Sequence, residues 1–407
     1  MDIYISQGIK SFFTNNFFMV LNFLGTILII RLLTPEIFGS FALAMALLGI
    51  IEIFTTFSFN IIYLQRNSSN HLISALLKLI LLTIFLKIFL AVILFLIMGS
   101  NYQEIIWKMF LMIFLIKLLV PLNALGISML EKKLFFFKTT LIVNLSNMLG
   151  ITLALVSIYF FQYGIYGLLI REVVPVIFIS ITMLFYLKGF KILIKKNSKK
   201  YLKLVFYKSL HLFGVRSSEI GFTRLPIFII DSFFGSAIVG YYTQSLYLVN
   251  ILNRLLNNIN QQLGIVFFSN HKNNIKKKRT GALLMNTISI LLGLPFLLIL
   301  FLYSNETLIF LWGNEWIEAE TILRYLSPLI IIIPIFTILK SQLYGDRKNN
   351  EITVVYIIGT SIFLTGLYLF ADRLEPNYLI PLFYFVSFIA MLFVSTIFLN
   401  RGTSKGT

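Results

Sequence analysis

Two similar stretches, about half a chain apart, decide the fold of this protein. Residues 33–41 read LTPEIFGSF, and residues 234–242 read FGSAIVGYY. Each joins two long apolar runs, and Gly39 and Gly240 are 201 residues apart in a chain of 407. Glycine gives a tight turn its backbone freedom, and Pro35 is expected to end the helix before the first turn. The matched turns predict two related halves that share one orientation in a membrane.

The runs around these turns, and along the whole chain, are apolar enough to cross a membrane. Apolar residues make up 58% of the sequence, and a spanning helix needs about 20 mostly apolar residues. The predicted fold class is therefore an all-α integral membrane protein with about twelve transmembrane helices. The predicted spans are 11–33, 39–65, 72–98, 105–130, 136–161, 165–187, 205–230, 238–268, 281–303, 321–344, 352–371 and 379–399.

The basic residues of the loops predict the orientation. Twenty-one Lys and Arg fall in the N-terminus and every second loop, whereas the opposite side has Arg373 alone. Positive residues are enriched on the cytoplasmic side of membranes, which predicts a multi-pass protein with both termini cytoplasmic. The N-terminus lacks the pattern of a cleaved signal peptide. The domains predicted from the longest basic loop are an N-terminal lobe, 1–190, a cytoplasmic linker, 191–203, and a C-terminal lobe, 204–407.

Composition argues against several classes of function. The chain has no cysteine, which excludes disulfides, thiolate nucleophiles and cysteine-bound metals, and its three histidines are far apart in sequence. No Gly-x-x-x-x-Gly-Lys-Ser/Thr loop is present, so ATP hydrolysis is not expected. We expect no cofactor and no metal. The lysine runs are interpreted as loops near anionic lipid headgroups, or else as a partner-docking site, and nucleic-acid binding is not expected.

The cations inside the predicted spans are the main indication of function. The chain holds 34 Lys and Arg against 16 Asp and Glu, and a charge near the bilayer centre costs about 2.5–3.5 kcal/mol on insertion scales. In span eight, Asn250, Arg254 and Asn257 repeat along one helix face. That face lines either a cavity or a polar seam between helices. Arg254 is the predicted cargo contact, because a guanidinium can bond two oxygens of a pyrophosphate at once.

Spans seven and one carry further polar stripes. In span seven, Arg216 and Glu219 either neutralise each other or form, with Arg224, a cationic cavity wall. In span one, Asn15 and Asn22 lie on one stripe with Ser11 and Thr26. Neutral amides of this kind suit sugar hydroxyls or a close helix contact, and the sequence leaves both interpretations open.

Buried carboxylates are the candidates for energy coupling. Glu52 in span two and Lys117 in span four each need a partner or water, because an isolated charge in a membrane is unfavourable. Glu52 and Glu219 are therefore candidate sites for coupling to H⁺ or Na⁺. Lys87 is expected near a span end, where its long side chain reaches the membrane surface.

Three motifs resemble those of a known family. Residues 31–39, RLLTPEIFG, resemble the R-L-L-x-P-E-x-F-G signature of polysaccharide repeat-unit flippases. These are the O-antigen and capsule translocases of the multidrug/oligosaccharidyl-lipid/polysaccharide exporter superfamily. Residues 231–242 resemble the family's turn between spans seven and eight, and residues 312–319, WGNEWIEA, resemble its short external segment before span ten. Span one differs from typical members, because it offers asparagines where they carry more charge.

The resemblance implies both an architecture and an activity. It implies two pseudo-symmetric six-helix lobes in a MATE-like V shape, with a cavity lined mainly by spans one, two, seven and eight. It also implies flipping of undecaprenyl-pyrophosphate-linked oligosaccharide across the bacterial cytoplasmic (inner) membrane by alternating access. The products would be O-antigen of lipopolysaccharide, capsule or exopolysaccharide. A polysaccharide polymerase and chain-length machinery would be further partners.

Two other classes remain as alternatives. A MATE-like drug or ion antiporter would share the architecture, but a cationic cavity repels organic cations. A membrane polysaccharide polymerase or glycosyltransferase would need a substantial external loop with clustered acid–base residues, and the largest external segment is the short 304–320 stretch. No catalytic constellation is visible, so a transporter, and not an enzyme, is predicted.

Overall fold

The computed structural model describes residues 2–65, 69–99, 102–187, 199–271 and 274–400, and the regular structure in these ranges is helical. Side chains are not described for residues 2–9, 12, 187, 199–200, 211, 256–263 and 265–266. A 3₁₀ helix, Asn314–Ala319, precedes α12. The α-helices are α1 Asp2–Arg31, α2 Pro35–Thr55, α3 Phe59–Gln65, α4 Asn70–Met98, α5 Glu104–Lys117, α6 Val120–Lys132, α7 Phe136–Phe161, α8 Gly164–Leu187, α9 Lys199–Asn270, α10 Ile275–Leu302, α11 Ser304–Leu311, α12 Glu320–Leu326, α13 Leu329–Gly345, α14 Asn349–Phe370 and α15 Pro376–Asn400.

The described helices account for the predicted spans. Ten of them are long and apolar enough to cross a membrane, and an eleventh span results if the bent pair Asn314–Leu326 and Leu329–Gly345 counts as one. The stretch Leu212–Leu255 is 44 residues long and contains parts of two predicted spans. Counted as two, it brings the described spans into correspondence with all twelve predictions. The all-α membrane fold is confirmed.

Three predicted spans are interrupted. Span ten breaks between α12 and α13, and spans two and four are each interrupted for a local reason. Span two breaks between α2 and α3, where Thr55 and Thr56 donate side-chain hydrogen bonds to the carbonyls of Ile51 and Glu52. Such bonds compete with helical pairing and favour a helix end. Span four breaks between α5 and α6. Pro121 there has no N–H to offer the carbonyl of Lys117 one turn earlier.

The predicted turn between spans seven and eight is reduced to a single residue. Gly235, with φ 80° and ψ 173°, interrupts the helical backbone inside α9. This left-handed conformation is readily adopted by glycine and disfavoured for other residues. The corresponding turn of the first half differs from the prediction. Pro35 begins α2 and does not end α1, since its fixed φ suits the first turn of a helix.

The chain forms two compact units, and each contains a segment from the other half of the sequence. The first unit comprises Met1–Leu33 and Leu47–Phe213, and the second comprises Thr34–Ala46 and Gly214–Thr407. Residues 191–198 of the predicted linker lie outside the described residues, and the predicted lobe boundaries stay a prediction. In the first unit, α7 packs against both α1 and α8.

Segment 34–46 packs inside the second unit through glycine contacts. A Cβ atom on Gly39 would overlap the backbone carbonyl of Ser236, and a Cβ on Gly240 would overlap that of Pro35. In each of the two matched stretches, therefore, a glycine packs against the backbone of the other stretch. Phe38 adds an edge-to-face contact with buried Trp316, 5.5 Å between ring centroids. These glycines provide space for close helix approach. The expectation that they give the turns their backbone freedom is wrong, because both lie inside helices and the positive φ belongs to Gly235.

Candidate functional site

A polar network in the second unit joins three helices around Glu219. Lys340 on α13 places Nζ 3.3 Å from Glu219 Oε1 and 3.1 Å from the hydroxyl of Tyr356 on α14. The Tyr356 hydroxyl in turn donates to the same carboxylate oxygen at 3.3 Å. Arg216, one turn before Glu219 on α9, lies 3.5 Å from the other oxygen, Oε2. Both carboxylate oxygens of Glu219 therefore have cationic partners.

The two cations of this network differ in exposure. The side chain of Lys340 is 12% exposed, whereas that of Arg216 is 52% exposed. Lys340 neutralises Glu219 from inside the unit and the Tyr356 hydroxyl hydrogen-bonds it, so the longer contact to Arg216 is not needed to compensate the carboxylate. The predicted pairing of Arg216 with Glu219 is thus present, yet about half of the Arg216 surface stays accessible to another anion.

Lys340 is the residue that sequence reasoning missed. It lies in predicted span ten, and the cost of a lysine in a span is the signal that could have identified it. Its partner Glu219 is 121 residues away in sequence. Hydropathy does not reveal which helices are neighbours, and so it could not name that partner.

The other predicted residues of the second unit stand apart from this network. Arg254 is exposed, and Arg224 and Asn250 are half-buried. No hydrogen bond or ion pair is recorded for these three side chains within the described ranges. The side chain of Asn257 lies outside the described residues. One amide of this helix does form a seam, because buried Asn253 donates to the Leu329 carbonyl at 3.4 Å.

In the first unit, part of the α1 stripe is a contact between helices. The hydroxyls of Ser11 and Thr140 are 2.8 Å apart, and Asn144 donates to the side-chain carbonyl of Asn15 at 3.4 Å. Of the two interpretations left open for Asn15, the structure places it in a seam with α7. The side-chain oxygen of Asn22 is buried, and no hydrogen-bond partner is recorded for it among the described residues.

Glu52 belongs to a group of charged residues inside the first unit. It lines a small pocket with Lys87 and Lys117, and Lys117 forms an ion pair with Glu172 on α8 at 3.3 Å. The expectation for Lys87 is wrong. Its residue exposure is only 9%, because Lys87 lies well inside the 29-residue helix α4 and not near its end.

The sequence matches one family model over most of its length. The model describes a polysaccharide biosynthesis protein and matches residues 28–321. The chain belongs to this family. The predicted resemblance is confirmed at this level, and no curated protein matches the sequence significantly.

Solved structures of exporter-superfamily transporters share the fold of this polysaccharide biosynthesis protein. One is the lipid II flippase MurJ in an inward closed conformation, with a TM-score of 0.71, 14% identity, and coverage of 97% of this chain and 87% of that one. Another is an inward-facing multidrug resistance MATE transporter, with a TM-score of 0.68, 14% identity and 96% coverage of each chain. A third, from Pyrococcus furiosus, has a TM-score of 0.60, 14% identity, and coverage of 98% and 93%. At these identities the likeness shows the fold.

Proposed function

We propose that this member of the family flips undecaprenyl-pyrophosphate-linked oligosaccharide repeat units from the cytoplasmic to the outer leaflet of a bacterial inner membrane. The supporting observation is the balance of charged side chains on α9. This helix carries Arg216, Arg224 and Arg254, while Glu219 on the same helix is already held by Lys340 and Tyr356. The helix therefore has an excess of cationic groups to offer an anionic cargo.

Pyrophosphate is the cargo group that this chemistry recognises best. A guanidinium is planar, stays charged at any relevant pH and can bond two phosphate oxygens at once. Arg216 is half exposed and Arg254 is exposed, so neither has to break a buried ion pair before it binds. Amides such as Asn250, Asn257 and Asn22 would then hydrogen-bond the sugar hydroxyls. The polyprenyl tail would stay in the lipid.

Coupling to an ion gradient is proposed at Glu52 in preference to Glu219. The Glu219 carboxylate already has Lys340 and Arg216 as built-in cations. Glu52 shares a pocket of about 10 Å³, close to the minimum for one water molecule, with Lys87 and Lys117, and Lys117 is itself paired with Glu172. Exchange of H⁺ or Na⁺ at this carboxylate would reset an alternating-access cycle. The loop charges support a membrane protein with both termini cytoplasmic. A polymerase and chain-length machinery would take up the product.

A MATE-like drug or ion antiporter is the second candidate, because a multidrug resistance transporter shares the fold. The sign of the charge on the cargo distinguishes the flippase from the antiporter. Three arginines on α9 attract a pyrophosphate and repel an organic cation. Loss of these arginines should therefore impair glycan export, and should leave unchanged or improve any resistance to cationic drugs.

The decisive experiment is complementation of a flippase-deficient strain that makes the cognate glycan. We expect Arg254→Ala and Arg216→Ala to lower surface glycan roughly tenfold, because each removes a charge-assisted contact, and lipid-linked repeat units should accumulate on the cytoplasmic face. Arg254→Lys should restore part of the activity. Arg373→Ala, in an exposed external loop, is the matched control at equal membrane abundance. Full activity in both arginine variants would contradict the proposed cargo site.

A further inference from the structure

An additional polar cavity lies entirely within the first unit. Its volume is about 310 Å³, and small-molecule sites begin at about 300 Å³. The cavity lies where the break between α5 and α6 meets α7 and α8. Five side chains give it polar character: Lys117, Asn123, Asn147, Arg171 and Glu172.

Three of these side chains are fixed by contacts within the protein. Lys117 forms the ion pair with Glu172. Asn123 donates to the Val176 carbonyl at 3.0 Å and accepts from the Ser180 hydroxyl at 2.9 Å. The bonds of Asn123 link α6 to α8, and the ion pair links α5 to α8. The cavity wall is therefore held in place on both sides of the break between α5 and α6.

The other two side chains keep their donors available. Arg171 on α8 and Asn147 on α7 are half-buried and line the cavity. No hydrogen bond or ion pair is recorded for either side chain in the part of the chain that the structure describes. A guanidinium carries five N–H donors and a carboxamide two. The cavity therefore offers the donors of Arg171 and Asn147 beside one carboxylate, Glu172, that already forms an ion pair with Lys117.

The charges that line this region do not balance. Lys117 is shared with the neighbouring small pocket, which adds Glu52 and Lys87. The two pockets together contain three cations, Lys87, Lys117 and Arg171, and two carboxylates, Glu52 and Glu172. One positive charge is thus left over inside a bundle of membrane-spanning helices, where an uncompensated charge is unfavourable.

We propose that the cavity binds one small monoanion, of the chloride type, between the Arg171 guanidinium and the Asn147 carboxamide. A single negative charge neutralises the cluster, whereas a dianion would reverse its sign next to Glu172. The volume is larger than a halide needs, so the ion keeps part of its water shell. The site lies on helices other than α9 and does not depend on the proposed flippase activity.

The test is equilibrium binding of ³⁶Cl⁻ to the purified full chain in detergent, with gluconate as the replacement anion at constant ionic strength. We expect saturable binding of one chloride per chain, competed by bromide and much less by sulfate. Arg171→Gln should weaken binding at least tenfold and Asn147→Leu several-fold. Arg373→Gln, which removes an exposed external arginine, should bind as the wild type does.

A second measurement keeps the proposal testable if Arg171→Gln does not fold. Arg171→Lys retains the charge, so it should still bind chloride, with affinity between wild type and Asn147→Leu. Chloride should also raise the midpoint of thermal unfolding of the wild type relative to gluconate, and this shift should shrink in Asn147→Leu. Absence of saturable chloride binding in the wild type, or equal binding in wild type and Arg171→Gln, would overturn the proposal.

Discussion

At the scale of single residues, Glu219 illustrates how a carboxylate is accommodated within a span. Its two oxygens face Lys340, Tyr356 and Arg216, and these come from three different helices. Such a network stabilises the protein only while its inner pair is intact, because removal of Lys340 or Glu219 leaves the charge of the other uncompensated. The network also leaves Arg216 half exposed, which is the property that the proposed function uses.

The Glu219–Lys340 pair should show strong energetic coupling. We expect Lys340→Met to destabilise the protein and the double variant Lys340→Met/Glu219→Gln to recover part of the loss. The coupling energy should be about 0.5–3 kcal/mol, as for contacting residues in one network. Unfolding by denaturant in detergent measures it in a double-mutant cycle.

The matched control is the ion pair of Lys108 with Glu104 on α5, whose side chains are 56% and 81% exposed. Solvent screens such a pair, so its cycle should give no measurable coupling. If the Lys340–Glu219 cycle also gave no measurable coupling energy, other groups would compensate the charge of Glu219, and the network as described would be wrong.

At the scale of helices, α2 and α9 can approach each other closely because two of the residues in contact are glycines, which have no side chain. Gly39 and Gly240 lie against the carbonyls of Ser236 and Pro35. Because the opposing atoms belong to the backbone, they cannot move aside as a flexible side chain can. Glycine at these two positions is therefore a requirement of helix packing in the second unit.

Alanine at Gly39 or Gly240 should consequently be poorly tolerated. We expect each substitution to destabilise the protein by about 1–3 kcal/mol, the usual range for overpacking, and to lower its abundance in the membrane. Gly264→Ala is the control, since a Cβ there meets its nearest neighbour at an ordinary 3.4 Å. Thermal unfolding of the purified variants measures the difference. Equal stability of Gly39→Ala and Gly264→Ala would show that the α2–α9 contact is looser than described.

At the scale of the whole molecule, loop charges predict orientation in the membrane. Twenty-one cations fall on one side of the predicted topology and a single arginine on the other. Because the chain contains no cysteine, single cysteines can be introduced and labelled without background.

We expect Glu315→Cys, in the exposed external segment, to react with a membrane-impermeant maleimide in intact cells. Arg347→Cys, in the exposed turn between α13 and α14, should react only after permeabilisation. The positive-inside rule gives this direction. The reverse pattern of labelling would mean that the predicted orientation is inverted.

The same scale shows what the sequence could and could not predict. Hydropathy alone identified the spans, and the repeated turn placed the break inside α9, although the glycine with the non-helical backbone is Gly235 and not Gly240. The interruption near Pro121 and the burial of Lys87 were missed. The first could have been predicted from Pro121 itself, whereas the burial of Lys87 depends on neighbours from distant segments. For the same reason the pattern on α1 could not separate a cargo surface from the seam that Asn15 forms with Asn144.

The reciprocal glycine contact has a consequence for synthesis on the ribosome. Segment 34–46 belongs to the second unit, and its partner Gly240 follows Gly39 by 201 residues. At about 5–20 residues per second, translation takes roughly 10–40 s to produce that partner. During this interval the first half of α2, residues 35–46, is in the membrane without the helix it packs against. The nascent first half therefore cannot complete its assembly before the second half is inserted.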